Sequence, residues 1–114
     1  MATIDPVKRA AIRNALLAHA AAGQFPYYGQ LGGPLGIHAR WPLWKLYLDD
    51  ISRAEKAAGL PDVTWIVRST RTRLPGQMDF KRVAKPTQSH WDRAKAMVQP
   101  VIDKYAPGTM NPYG

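Results

Sequence analysis

The sequence predicts an α+β fold, mostly α, built as a single domain. Apolar residues recur at helical spacing in three long segments, each bounded by a cap or a Gly/Pro stop. One β-rich apolar run, Val63–Arg68, precedes a Pro-Gly turn signal and a second short strand candidate. With 114 residues and 46% apolar content, the chain can bury one core.

Asp5-Pro6 opens the first helix, with an acidic N-cap and proline at the first helical position. Val7, Ala11, Ala15 and Ala18, and Ile12, Leu16 and His19, carry it to about Ala22, where Gly23 stops it. Lys8, Arg9 and Arg13 lie in its N-terminal half, where they oppose the helix dipole. Gly29, Gly32, Gly33, Gly36, Pro26 and Pro34 break the next stretch into no more than a short helical turn around Gly29–Gly33. It lacks both the Gly-Lys-Ser/Thr ending and the G-x-G-x-x-G spacing of phosphate loops.

The second long helix is predicted over Trp41–Ala58, closed by Gly59-Leu60-Pro61. Its apolar stripe is Leu43, Trp44, Tyr47, Leu48, Ile51, Ala54 and Ala58, with Lys45, Asp49, Ser52, Arg53 and Lys56 largely on other faces. A β-hairpin follows, with arms at about Val63–Arg68 and Gln77–Val83 and a connection longer than a tight turn. The last helix starts near Thr87–Ser89 and docks through Trp91, Ala94, Val98, Ile102 and Tyr105; Pro100 predicts a kink or an early end. Residues 1–106 form the domain, and the Pro- and Gly-containing stretch 107–114 is expected to be a flexible tail. The order helix, turn, helix, hairpin, helix is that of a winged helix-turn-helix-like fold with a β-hairpin wing and a C-terminal helix.

The chain carries 16 Lys+Arg against 8 Asp+Glu, for a net charge of +8 and a pI near 10.1. Such a bias favours a polyanionic partner: nucleic acid first, an anionic membrane second, an acidic protein third. With no cysteine, disulfides, thiol chemistry and Cys-containing zinc sites are excluded. His19, His38 and His90 show no metal-ligand spacing, so neither a metal nor another cofactor is expected. The N-terminus lacks the apolar core of a signal peptide, and no run approaches the ~20 apolar residues of a membrane span. A soluble cytoplasmic protein is the expectation.

Tyr28-Gly29-Gln30-Leu31-Gly32-Gly33-Pro34-Leu35-Gly36 resembles the Tyr-Gly-x-Leu-Ala-x-x-(apolar)-Gly segment that opens the helix-turn-helix of alkylguanine-DNA alkyltransferases and alkyltransferase-like proteins. Tyr28, Gly29, Leu31 and Gly36 match, and Gly32 stands in place of the usual alanine. Gly59-Leu60-Pro61-Asp62-Val63 resembles that family's approach to its central strand. Arg68 onward, with Gly76 and Phe80, resembles its basic segment and aromatic ending. The reactive Pro-Cys-His-Arg block has no counterpart. The resemblance spans about Tyr28–Phe80 and implies a DNA-binding scaffold without alkyl transfer. It gives Tyr28 a DNA-contact role, with Arg40 nearest to the family's helix-borne arginine.

Arg68, Arg71 and Arg73 are candidates to grip phosphate, since each guanidinium can fork onto two oxygens. Lys81, Arg82 and Lys85 extend the same field: Asp62–Lys85 holds six bases and two acids, a net +4 and half of the chain's +8. The competing explanation is a solvated edge that uses charge to block sheet aggregation. Trp44, Tyr47, Trp65 and Trp91 read as core. Ser52, His90 and Asp92 are the residue types of a hydrolytic triad, but no nucleophile elbow surrounds the serine, so no enzyme is expected. The sequence therefore predicts a non-enzymatic protein that binds nucleic acid, duplex DNA first, with Tyr28, Arg40, Arg68, Arg71, Arg73, Lys81, Arg82 and Lys85 as contacts. The alternative is a small interaction module or inhibitor that binds an acidic or nucleic-acid-binding protein.

Overall fold

Among the described residues five helices follow one another: α1 (Pro6–Ala21), α2 (Tyr28–Gly32), α3 (Trp44–Ala57), α4 (Gly76–Asp79) and α5 (Gln88–Tyr105). Single 3-10 turns lie at Gly33–Leu35 and Val63–Ile66. The structure is a computed structural model that describes residues 3–114. Among the described residues no strand forms, so the expected α+β class and β-hairpin wing are both corrected: the fold is all-helical.

The helix boundaries follow local chemistry. The Asp5 carboxylate accepts from the Val7 N–H at 2.9 Å, a cap of about 1 kcal/mol. Gly23, at φ 68°, lets the chain reverse so that the Gln24 N–H reaches the His19 carbonyl at 2.9 Å. The last helix starts as expected after Thr87, in a capping box with His90. It does not end at Pro100 but continues to Tyr105. Pro100 and Ala96 are both exposed, so the carbonyl that proline leaves without a bond is open to water.

Helices α1 and α3 run in the same direction. Three contacts fix this in order: the Asp5 N–H donates to the Tyr47 hydroxyl at 2.8 Å, Arg9 pairs with Asp50, and Arg13 pairs with Glu55. Two of the three bases of α1 that oppose its own dipole, Arg9 and Arg13, are thus held by acids of its neighbour, while Lys8 lies 5.2 Å over the Trp41 ring. This pairing also turns the buried face of α3. Ser52 and Glu55 are buried, whereas Ala54 and Ala58, expected in the stripe, are exposed.

The segment Val63–Val67 lies at the centre, packed against α1, α3 and α5, with every residue 5% exposed or less. Its apolar run is buried on all sides rather than on alternating ones, which is why it reads as a strand in the sequence. Asp62 decides the outcome. Its carboxylate accepts from the Thr64 N–H at 3.1 Å and from the Thr64 hydroxyl at 2.6 Å, and also takes the Ser52 hydroxyl. The backbone then closes locally, Trp65 N–H to Asp62 carbonyl at 3.3 Å, into a 3-10 turn. The second predicted arm instead starts a helical turn at Gly76, after Pro75, whose ring nitrogen has no hydrogen to give a ladder.

Two apolar clusters result. The first joins α1, α3 and the central turn through Ile12, Leu16, Tyr47, Leu48, Ile51 and Ile66. The second joins α5 to Trp65, Leu74, Met78 and Tyr113. Its last member lies in the stretch 107–114, expected to be a flexible tail. Asn111 donates to the Lys95 carbonyl at 3.1 Å and to Gln99 at 3.0 Å, and Tyr113 packs on Trp91 with ring centroids 5.9 Å apart.

Candidate nucleic-acid interface

Where the hairpin was expected there are only isolated bridges. Arg68 and Pro75 form a single antiparallel bridge, and the Gly76 N–H donates to the Val67 carbonyl at 2.8 Å. Inside it, Ser69 N–H bonds the Leu74 carbonyl at 2.9 Å and Arg73 N–H bonds the Ser69 carbonyl at 2.8 Å. Leu74, Thr72 and Ser69 point inward and are buried, while Thr70, Arg71 and Arg73 are exposed. The result is a knuckle anchored by alternate residues, with two arginines outside.

Asp79 ties this knuckle to α4. Its carboxylate takes the Ser69 hydroxyl on one oxygen and the Arg71 guanidinium on the other. Arg71 is therefore a brace, with its charge half spent on the fold. Arg73, Lys81, Arg82 and Lys85 are exposed and have no acid within ion-pair distance among the described residues. Arg73 (φ 64°) and Arg82 (φ 55°) are the non-glycine residues in the left-handed region among the described residues. That conformation costs about 1–2 kcal/mol for an L-residue. Both lie on this surface.

The other sequence candidates go elsewhere. Tyr28 is partly buried, with its hydroxyl turned inward. Its ring packs against Trp44 (5.4 Å) and Phe80 (6.1 Å), and its hydroxyl sits over Gly76 with no hydrogen-bond partner. Burial, followed by the nearby Asp79 and Asp49 charges, pushes its pKa well above the ordinary tyrosine range. Arg40 is exposed in the α2–α3 connection, where its backbone N–H donates to His38 Nδ1 at 3.0 Å. Arg68 turns away from the knuckle tip toward residues 25–27: its Nε donates to the Phe25 carbonyl at 2.8 Å, and its guanidinium lies 4.4 Å over the Tyr27 ring. Thus Arg71 is tied to Asp79 by its side chain, Arg82 is tied to it by its backbone N–H and Arg73 to Ser69 by its own, while Arg68 and Tyr28 point elsewhere.

Sequence reasoning passed over Arg93. It is exposed on α5 and lies 5.5 Å over the Trp65 ring, beside the knuckle's own cluster. Its signal was its place on α5, one residue before buried Ala94 and so off the apolar ladder. The triad residues do not meet: the Ser52 hydroxyl donates to Asp62, and His90 is held in the Thr87 cap. No group of three or more His, Asp or Glu side chains converges among the described residues, and no helix among them is long and apolar enough to cross a membrane.

Gly32 gives the resemblance motif a local explanation. A Cβ there would come within 2.5 Å of the Ile37 carbonyl oxygen and 2.8 Å of the Trp44 ring. Comparison with protein-family models, curated proteins and solved structures gives no match to this chain.

Proposed function

We propose that this chain is a non-enzymatic nucleic-acid-binding protein that holds duplex DNA by its phosphates, through Arg73, Lys81, Arg82 and Lys85. The supporting observation is the division of charge. Arg9 and Arg13 of α1 are paired with acids of α3, while Arg73 at the knuckle and Lys81, Arg82 and Lys85 after α4 stand exposed and, among the described residues, without an acid partner. Unpaired bases this close raise the local potential and attract a polyanion. Two of them occupy a costly backbone conformation, an arrangement that stability alone does not favour. Arg71, fixed by Asp79, shapes the knuckle, and exposed Arg40 is retained as a further contact.

A duplex-binding assay over a salt series tests this. Four phosphate contacts predict a log–log salt slope of roughly −3.6, since each releases about 0.9 counterion. Alanine at Arg73, Lys81, Arg82 and Lys85 together removes most of that slope and weakens all duplex sequences alike. A flat salt response, or a quadruple variant that binds as tightly as the parent, sinks the reading. Capture of one acidic protein that survives nuclease treatment replaces it with a protein partner.

A further inference from the structure

We infer that the cleft between the end of α1 and Arg68 binds a single phosphate group of the monoester kind, at a site separate from the exposed bases of the duplex-binding face. The cleft holds about 350 Å³ and is lined by His19, Gln24, Phe25, Pro26, Gln30 and Arg68. No carboxylate is among these residues.

The polar groups of the cleft are oriented in advance. Arg68 is held at three points: its backbone N–H on the Pro26 carbonyl (2.8 Å), its Nε on the Phe25 carbonyl (2.8 Å) and its guanidinium face on the Tyr27 ring (4.4 Å). Both Nη groups keep their hydrogens free of protein partners. They form the fork that matches two oxygens of a phosphate.

Two glutamines complete the set, and each spends its acceptor end inside the protein. Gln30 Oε1 accepts from the Tyr27 N–H at 3.0 Å. Gln24 Oε1 lies 2.8 Å from His19 Nδ1, which therefore carries the hydrogen. What each amide has left is its NH2, a donor. A cleft whose unsatisfied groups are mostly donors, an arginine fork and two amides, selects an acceptor-rich ligand. The remaining lone pair is His19 Nε2, which accepts from the P–OH of a monoprotonated phosphate or is itself protonated. The end of α1 would oppose an anion. Its Ala18, His19 and Ala20 carbonyls, however, are already capped by the N–H groups of Ala22, Gln24 and Gly23.

Titration of nitrogen-labelled protein with inorganic phosphate, against sodium chloride at matched ionic strength, tests the site. Saturable shifts are expected in the Gln24 and Gln30 side-chain amides and the Arg68 Nε–H, with phosphate only. Gln30→Glu keeps an oxygen for the Tyr27 N–H but replaces the donor with a negative charge, so phosphate binding should weaken at least about tenfold. Gln24→Glu does the same on the other wall and serves as the second variant. Shifts that follow ionic strength with either salt, or phosphate binding unchanged in both variants, overturn the proposal. Terminally phosphorylated oligonucleotide, its hydroxyl-ended equivalent and a nucleoside monophosphate separate the sources. Preference for the phosphorylated strand end assigns the site to nucleic-acid termini; equal binding of mononucleotide and inorganic phosphate assigns it to a free phosphate compound. Gln30→Glu leaves binding of the hydroxyl-ended duplex unchanged. The Arg73, Lys81, Arg82 and Lys85 alanine variant leaves binding of inorganic phosphate unchanged, so the two sites fail independently.

Discussion

Tyr28 is the residue whose role changes most between sequence and structure. In the sequence it is a loop tyrosine at the head of a motif, a position that looks the same whether the ring faces solvent or core. Gly76 decides the matter from far along the chain, because its missing side chain is the space the Tyr28 hydroxyl occupies. The hydroxyl is buried without a partner, so removing it is cheap. Tyr28→Phe should leave urea stability unchanged or raise it by up to about 1 kcal/mol, with duplex binding unaltered. A large loss of binding in a stable Tyr28→Phe protein restores the contact role. The arginine run teaches the same lesson: Arg68, Arg71 and Arg73 are near neighbours in sequence, yet one lines a cleft, one braces a knuckle and one faces solvent. The residue type was legible in the sequence; the direction of each side chain was set by Phe25, Asp79 and the left-handed turn at Arg73.

Among the elements, the helices were readable where local chemistry writes their ends. Asp5-Pro6, Gly23, Gly59 and Thr87 all mark real boundaries, since caps and left-handed stops act within a few residues. The chain reversal between Val67 and Gly76 was also readable, but its arms were not. A continuous apolar run is compatible with a strand or with a buried turn, and only the carboxylate of Asp62, linked to Ser52 and Thr64, settles it. The parallel pairing of α1 with α3 was invisible for a related reason: Glu55 looked like a surface acid until Arg13 covered it. Glu55 is 2% exposed, and one of its oxygens has no partner other than the charge of Arg13 nearby. Arg13→Ala leaves that carboxylate buried alone and should cost about 3 kcal/mol in denaturant unfolding. Replacing both members, Arg13→Met with Glu55→Leu, should recover most of it; a double variant as unstable as the single one contradicts the ion-pair account.

For the molecule as a whole, the sequence states the net charge but not where the excess lies. Pairing between α1 and α3 quiets one region and leaves the knuckle and the connection from α4 to α5 positive. Burial adds a pH limit at the alkaline end. Tyr28 and Tyr113 both have pKa values pushed upward, chiefly by burial, and each has a hydroxyl without a partner. Above about pH 10 the unfolded chain releases these protons and the folded chain keeps them, so the unfolded state gains. Stability should be flat in this respect below pH 10, then fall by up to about 2.7 kcal/mol per pH unit, 1.36 for each tyrosine. Phenolate absorption should appear for these two rings only together with unfolding. Their ionisation in the intact fold contradicts the burial argument. The two apolar clusters have an optical consequence as well. Trp44 belongs to the first cluster and Trp65 to the second, at 3% and 5% exposure. With Trp41 and Trp91 exchanged for phenylalanine, the protein carries one native fluorophore in each half of its core. The order in which the halves assemble then becomes visible without any added dye.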